Sequence, residues 1–98
     1  MNITIKAIHF TADKKLEDFV ETKINKLKKY DDRILGANVF LKLVKNQDSE
    51  NKITEIKLDI PGTDLFAKKQ TDSFEKSTDS VIEALKKQLQ KFKEKQKQ

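Results

Sequence analysis

The side chains in this sequence that are best placed to do chemistry are lysines, and their spacing favours phosphate binding. Two sets recur at helical intervals: Lys23, Lys26 and Lys29, then Lys87, Lys91 and Lys95. Steps of three or four residues place each set along one flank of an α-helix. Rows of ammonium groups can bind the phosphates of a nucleic-acid backbone but recognise few base edges. They therefore favour binding to structured RNA over recognition of a specific DNA sequence.

Groups that could support catalysis or hold a metal are scarce. The chain has one histidine, His9, and no cysteine, and it contains neither a Gly-rich phosphate loop nor a metal-ligand spacing. We expect His9 to be an ordinary residue at the end of a strand. The sequence therefore predicts no catalytic residue, no metal, no cofactor and no small-molecule substrate, and hence no enzymatic activity.

Positive charge is concentrated at the C-terminal end. The 21 basic and 16 acidic residues give a net charge of +5, and residues 84–98 alone hold six lysines and one glutamate. This excess favours a polyanionic partner. The first residues lack the apolar run of a signal peptide, and no segment approaches the ~20 apolar residues of a membrane span. Together with the absence of cysteine, this predicts a cytoplasmic protein without a membrane partner.

The hydrophobic pattern predicts one domain, residues 1–95, followed by a frayed basic tail, residues 96–98. Thr11 is the expected N-cap of the first helix because its hydroxyl can accept from the first turn. The predicted elements in order are a strand at 2–10, a helix at 12–30, strands at 37–45, 53–60 and 65–71, and a helix from Asp72 or Ser73 to about Glu94.

This order, β-α-β-β-β-α, predicts an α+β fold with a four-stranded mixed sheet and two helices packed on one face. The strand-helix-strand crossover makes the first two strands parallel, and the short later loops make the other pairs antiparallel. Pro61-Gly62 indicates a turn, whereas Lys68-Lys69 weakens the prediction of the last strand. Both helices then run the same way, so their C-terminal lysines should emerge together at one edge.

In both helices, lysines and acidic residues lie on opposite flanks. With the apolar stripes inward, the lysines of the first helix lie opposite Glu17 and Glu21. The lysines of the second helix share a flank with Ser77, Ser80 and Ala84, whereas Glu75, Asp79 and Glu83 lie on the other side. Helix dipoles favour lysines near C-termini by about 0.3–1 kcal/mol each, and charged faces are usually only solvated. The helix dipole does not explain why acidic residues are missing from the lysine flank of both helices. This shared pattern therefore favours a nucleic-acid-binding surface.

Three aromatic or basic positions allow more than one interpretation. Arg33 follows the first helix and could contact phosphate or pair with Asp31 or Asp32. Tyr30 could stack on a base, although its place on the apolar stripe favours packing, as it does for most phenylalanines. The open face of the sheet is a candidate for a second, weaker contact surface, carrying Phe40, Lys42 and Val44.

Three segments, TADKKLEDFVETKINKLKKYDDRI, VFLKLVK and DSVIEALKKQLQKFKEK, resemble the ribosome hibernation-promoting factor and ribosome-associated inhibitor family, in its short form, over about residues 1–95. The resemblance implies binding to the small ribosomal subunit and its rRNA at the mRNA/tRNA channel. Translation would be inhibited and inactive ribosomes preserved during stress or stationary phase. The protein would be a monomer when free, and any pairing of ribosomes would need a second factor.

The resemblance assigns the family's basic contacts to five of the lysines above, and Arg33 and Lys95 extend that set. The candidate RNA-binding residues are therefore Lys23, Lys26, Lys29, Arg33, Lys87, Lys91 and Lys95. Three residues depart from the family pattern. Ala84 replaces a usual basic residue and puts one phosphate contact in doubt, and Glu75 and Thr78 would loosen the start of the second helix.

Two other functions remain open from the sequence. Three strands and a closing helix also occur in generic double-stranded RNA-binding modules without a ribosomal role. A protein-interaction module whose lysines serve only solubility would bind with little dependence on salt, unlike an RNA-binding surface.

Overall fold

The computed structural model describes residues 1–45 and 49–96 and confirms the predicted α+β fold. Its elements are β1 (Asn2–Ile8), α1 (Lys14–Tyr30), β2 (Gly36–Leu43), β3 (Lys52–Ile60), β4 (Thr63–Thr71) and α2 (Phe74–Gln96). The division into a domain and a frayed tail stays a prediction, since residues 97 and 98 of that tail lie outside the described residues and residue 96 is the last of α2.

The strands form one mixed sheet in the order β1-β2-β3-β4. β1 pairs with β2 in parallel, while β2 with β3 and β3 with β4 are antiparallel. Both helices lie on the same face, and they run in the same direction because each follows a strand of the same orientation. The ends of both helices therefore meet at one edge, as predicted.

Both helices start with a side-chain cap. The Asp13 carboxylate accepts from the backbone N–H of Leu16 at 2.8 Å, so α1 begins at Lys14. The predicted cap, Thr11, lies two residues earlier and is wrong; a carboxylate can fill the same role and also favours the positive end of the helix dipole. The Ser73 hydroxyl accepts from the N–H of Lys76, and α2 begins at Phe74, one or two residues after its predicted start.

The core lies between the sheet and the two helices. The largest fully buried side chains are Val20, Ile24, Leu27, Ile34, Val39, Leu41, Ile56, Leu58, Ile60, Val81, Leu85 and Leu89. A polar cluster is buried with them: the Thr54 hydroxyl of β3 lies 2.6 Å from Ser77 Oγ and 3.2 Å from Thr78 Oγ1 of α2. Ser77 is thus buried and not on the lysine flank, and Thr78, expected to loosen the packing, is hydrogen-bonded within it.

The turn between β3 and β4 is a two-residue connection at Pro61 and Gly62, as predicted. Gly62 has φ +87, which a non-glycine residue rarely adopts. Gly36 begins β2, where a Cβ would lie 3.0 Å from the carbonyl oxygen of Asn2. Its lack of a side chain lets β1 and β2 approach.

Lysines do not interrupt β4, although Lys68-Lys69 weakened its prediction. β4 is an edge strand, and lysines on such strands are common because they discourage pairing with other chains. Lys68 lies opposite Glu55 of β3, and Lys69 lies opposite Thr54, which is fully buried under α2. The alternation of the strand therefore directs Lys69 to the helix side and Lys68 to the open face.

Candidate nucleic-acid interface

Two of the three α1 lysines present charge to solvent. Lys26 and Lys29 are exposed, and neither has an ion pair within the described part of the chain. Lys23 differs, because its ammonium lies 3.1 Å from the Asp79 carboxylate of α2 and 5.3 Å from the centre of the Phe19 ring. The flank expected to be free of acid therefore faces a carboxylate from the neighbouring helix.

The three α2 lysines lie on the side of α2 that faces β4. Lys91 and Lys95 border a shallow depression with Leu65 of β4, and the amide nitrogen of Gln88 on the same side donates to the Phe66 carbonyl at 2.8 Å. Lys87 is exposed one turn earlier. The α2 row thus borders β4 as well as the neighbouring helix, which the sequence pattern did not indicate.

Arg33 is held by Asp31 in a clasp between the helices. The Arg33 Nε and a terminal nitrogen donate to the two Asp31 oxygens at 2.9 and 2.5 Å, and the guanidinium lies 5.1 Å from the centre of the Phe92 ring of α2. The hydrogen bond from Arg33 is the main reason that the pKa of Asp31 lies below its usual value, and the same bond raises the pKa of Arg33. Of the two readings for Arg33, the structure shows the pairing with Asp31; its contact with RNA stays a prediction.

Lys28 has a structural role that sequence reasoning missed. Its ammonium donates to the backbone carbonyls of Asp32 and Ile34 at 2.5 and 2.6 Å, so it caps carbonyl groups after the C-terminus of α1. The available signal was its place in the last helical turn, where a lysine commonly bonds the final carbonyls. Lys28 is therefore not a surface charge like Lys26 or Lys29.

Tyr30 is the last residue of α1 and is 51% exposed. The prediction that it packs into the core is wrong, because the apolar stripe continues one residue beyond the end of the core. Its ring lies one turn after Lys26 and is available for stacking. Phe66 is also half exposed, on β4, whereas Phe74 is buried and stacks on Phe10 with ring centres 4.6 Å apart.

The open face of the sheet carries Phe40 and Lys42, as predicted. They alternate along β2 with Val39 and Leu41, which are buried under the helices. Lys42 is not available as a full charge, since its ammonium lies 2.5 Å from the Glu55 carboxylate. Any contact surface on this face stays a prediction.

Within residues 1–45 and 49–96, no group of three or more histidine, cysteine, aspartate or glutamate side chains could hold a metal ion. His9 directly follows β1 and has φ 69. None of the helices that the structure describes is long and apolar enough to cross a membrane.

Comparison with known proteins identifies the family. Residues 3–97 match the model of the family described as Sigma 54 modulation protein / S30EA ribosomal protein. The chain is 29% identical over 96 residues to a ribosome hibernation promoting factor from Pseudomonas putida, covering 98% of this chain and 90% of that protein. It is 32% identical over 80 residues to a ribosome hibernation promotion factor from Deinococcus radiodurans, covering 80% of this chain and 41% of that longer protein.

Solved structures share this fold. The fold superposes on a ribosomal subunit interface protein from Coxiella burnetii with a TM-score of 0.84 at 22% identity, covering 95% of this chain and 98% of that one. It superposes on the N-terminal domain of Protein Y from Thermus thermophilus with a TM-score of 0.79 at 26% identity, covering 94% and 99% of the two chains. The chain therefore belongs to the Sigma 54 modulation protein / S30EA ribosomal protein family, with ribosome hibernation promoting factors among its relatives.

Proposed function

We propose that the protein binds the small ribosomal subunit at the mRNA/tRNA channel through its lysine-rich helical layer and inhibits translation by occupying that channel. The observation that carries this proposal is the placement of four exposed lysines on two helices that run side by side. These are Lys26, Lys29, Lys87 and Lys91, none of which has an ion pair in the described part of the chain. Their charges are not used to hold the fold and are free to neutralise rRNA phosphates.

The action is occupancy, not catalysis. A rigid layer of ammonium groups binds phosphates by charge and releases their counterions, so affinity should depend strongly on salt. Neutralising about five phosphates gives a fall of log affinity with log salt of slope ~3.5–4.5 in magnitude. Inactive ribosomes are thereby preserved in the cytoplasm during stress or stationary phase, and the free protein is a monomer that needs a second factor to pair ribosomes.

Cosedimentation with vacant small subunits tests this proposal. The purified protein should bind the subunits, and added transfer RNA and messenger RNA should displace it because they occupy the same channel. Binding that neither competitor reduces would contradict the proposed location. A peak of paired ribosomes formed without any other protein would contradict the need for a second factor.

A generic double-stranded RNA-binding module is the second candidate. The lysine rows support it equally well, because dsRNA is read mostly through its phosphates and shape. Competition between vacant small subunits and a plain RNA duplex separates the two. Equal affinity for both would favour the generic module, and a clear preference for the subunits would favour the ribosomal function.

A further inference from the structure

We propose that the groove between α2 and β4 is an RNA-binding track that extends the lysine surface of the helices, in which Lys69 and the α2 lysines hold a stretch of phosphate backbone. This rests on the proposed function and assigns Lys69 a role in it. The groove continues the side of α2 that faces the edge of the sheet, and it consists of two shallow depressions that follow one another along the helix.

The first depression has lysines on both walls. Lys69 of β4 and Lys87 of α2 line it together with Ser80 and Ala84, and its volume is about 580 Å³. Lys69 reaches this side because its register partner in β3 is Thr54, which lies under α2. A helical pattern in the sequence cannot reveal this residue, since it comes from a strand.

The second depression extends the track toward the C-terminus of α2. It has a volume of about 230 Å³ and is lined by Lys91, Lys95 and Leu65 among others. Successive lysines at four-residue steps rise by about 6 Å along the helix axis. Lys87, Lys91 and Lys95 therefore form a row of positive charge along α2, and Lys69 of β4 lies beside the first of them.

The floor and the rim suit a phosphate backbone. Ser80 and Ala84 have short side chains, so a bulky chain can approach the helix closely. Two carboxylates, Asp79 and Glu83, also border the first depression, but Asp79 pairs with Lys23 at 3.1 Å and Glu83 lies 3.7 Å from Lys86.

The groove lysines lack such pairs, which leaves the row positive. Within residues 1–45 and 49–96, no carboxylate lies within ion-pair distance of Lys69, Lys87, Lys91 or Lys95.

The groove lies next to α1. Asp79 borders the first depression and also lies 3.1 Å from Lys23 of α1. The groove therefore extends the lysine surface of the two helices as far as Lys69 of β4.

Lys68 and Lys69 provide a matched test of the groove. They are adjacent, both are exposed, and their replacement by glutamate changes the net charge equally, but they point to opposite faces of the sheet. We expect Lys69→Glu to weaken binding to vacant small subunits about tenfold, since reversing one surface charge near a phosphate changes its interaction by about that factor. Lys68→Glu should change binding less than twofold, and equal losses in the two variants would overturn the proposal.

Lys26→Glu distinguishes failure of the groove from failure of the proposed function. If Lys26→Glu weakens binding while Lys69→Glu behaves like Lys68→Glu, the ribosomal function stands and the groove is wrong. If the wild-type protein does not bind vacant small subunits, both are overturned. Thermal unfolding of each variant, compared with the wild type, shows whether a loss of binding is a loss of folding.

Hydroxyl-radical footprinting of rRNA tests whether the groove itself contacts RNA. Bound to small subunits at saturating concentration, the wild-type protein should protect a set of nucleotides, part of which Lys69→Glu no longer protects. Lys68→Glu should leave the whole set protected. Unchanged protection in Lys69→Glu would overturn the proposal.

Discussion

The two helices carry similar lysine patterns in the sequence but use them differently in the fold. In α1, Lys23 is paired with Asp79 and Lys28 caps backbone carbonyls, so part of the positive charge holds the molecule together. In α2, Lys87 and Lys91 are exposed and have no ion pair in the described part of the chain. A charge that is already paired within the protein contributes less to the binding of an external partner.

The helices are also attached to the sheet by different interactions. α1 buries aliphatic side chains, among them Val20, Ile24 and Leu27. α2 adds the hydroxyl cluster in which Thr54 of β3 meets Ser77 and Thr78. Buried hydrogen bonds depend on geometry more strictly than apolar contacts do, so they fix the rotation of α2. That rotation turns its lysines toward β4.

Reversing one free lysine on each helix should have the largest effect on binding. We expect Lys26→Glu combined with Lys91→Glu to weaken binding to vacant small subunits about 100-fold, since each reversal of a surface charge near phosphate costs about tenfold. Equilibrium binding at fixed salt measures it.

The matched control is Lys14→Glu combined with Lys68→Glu. Both control lysines are exposed, and the Lys14 pair with Asp18 at 3.4 Å is a surface pair of little weight. Lys28 would be a poor control because it caps α1. If both double variants bind equally weakly, net charge and not position determines binding.

Breaking the clasp after α1 should lower stability. Asp31→Asn removes the charge that Arg33 contacts through two hydrogen bonds, and hydrogen bonds to charged groups contribute about 1.5–3 kcal/mol. Because the Arg33 side chain is 26% exposed, we expect a loss near the lower end, about 1.5 kcal/mol, in urea unfolding at pH 7. The matched control is Asp32→Asn at the neighbouring exposed position.

The same clasp predicts a dependence on acid. Asp31 has a pKa in the folded protein below its usual value, so its contribution is present above the unfolded pKa of about 3.9 and is lost as pH falls through the folded value. The stability difference between wild type and Asp31→Asn should therefore shrink below about pH 4. A difference that is constant down to pH 2 would contradict this role.

Removing the central hydroxyl under α2 should have a smaller effect. Thr54→Val keeps the shape but leaves Ser77 and Thr78 without their shared partner, which should cost about 1 kcal/mol in urea unfolding. The control is Thr4→Val at an exposed position of β1, where a change within about 0.5 kcal/mol is typical. If Thr54→Val is as stable as the wild type, the cluster does not hold α2.

The order of the elements could be predicted because each has a clear hydrophobic period, with the same face of every strand and one stripe of each helix buried. The start of α1 was wrong because Thr11 and Asp13 are both good caps, and sequence alone does not choose between them. The prediction that Tyr30 packs into the core was wrong for a similar reason, since hydrophobic periodicity does not show where a core ends.

The contacts between elements could not be predicted, because they depend on how packed elements are rotated. The pairing of Lys23 with Asp79 needs the angle between the two helices, and the place of Lys69 beside α2 needs the strand register. The sequence could place each lysine on its own helix. It could not show which ones the fold would neutralise.

The smallest expected effect tests that neutralisation directly. Lys23 lies 3.1 Å from Asp79, and its side chain is 29% exposed, so its charge is already compensated. We expect Lys23→Gln to change binding to vacant small subunits less than twofold, while Lys26→Gln, one turn away and unpaired, weakens it severalfold. Lys23→Gln should also reduce stability by at most about 1 kcal/mol, because the pair is partly solvent-screened. If Lys23→Gln weakens binding as much as Lys26→Gln does, then Lys23 leaves Asp79 when RNA binds. The free structure would then understate the charge that α1 presents to RNA.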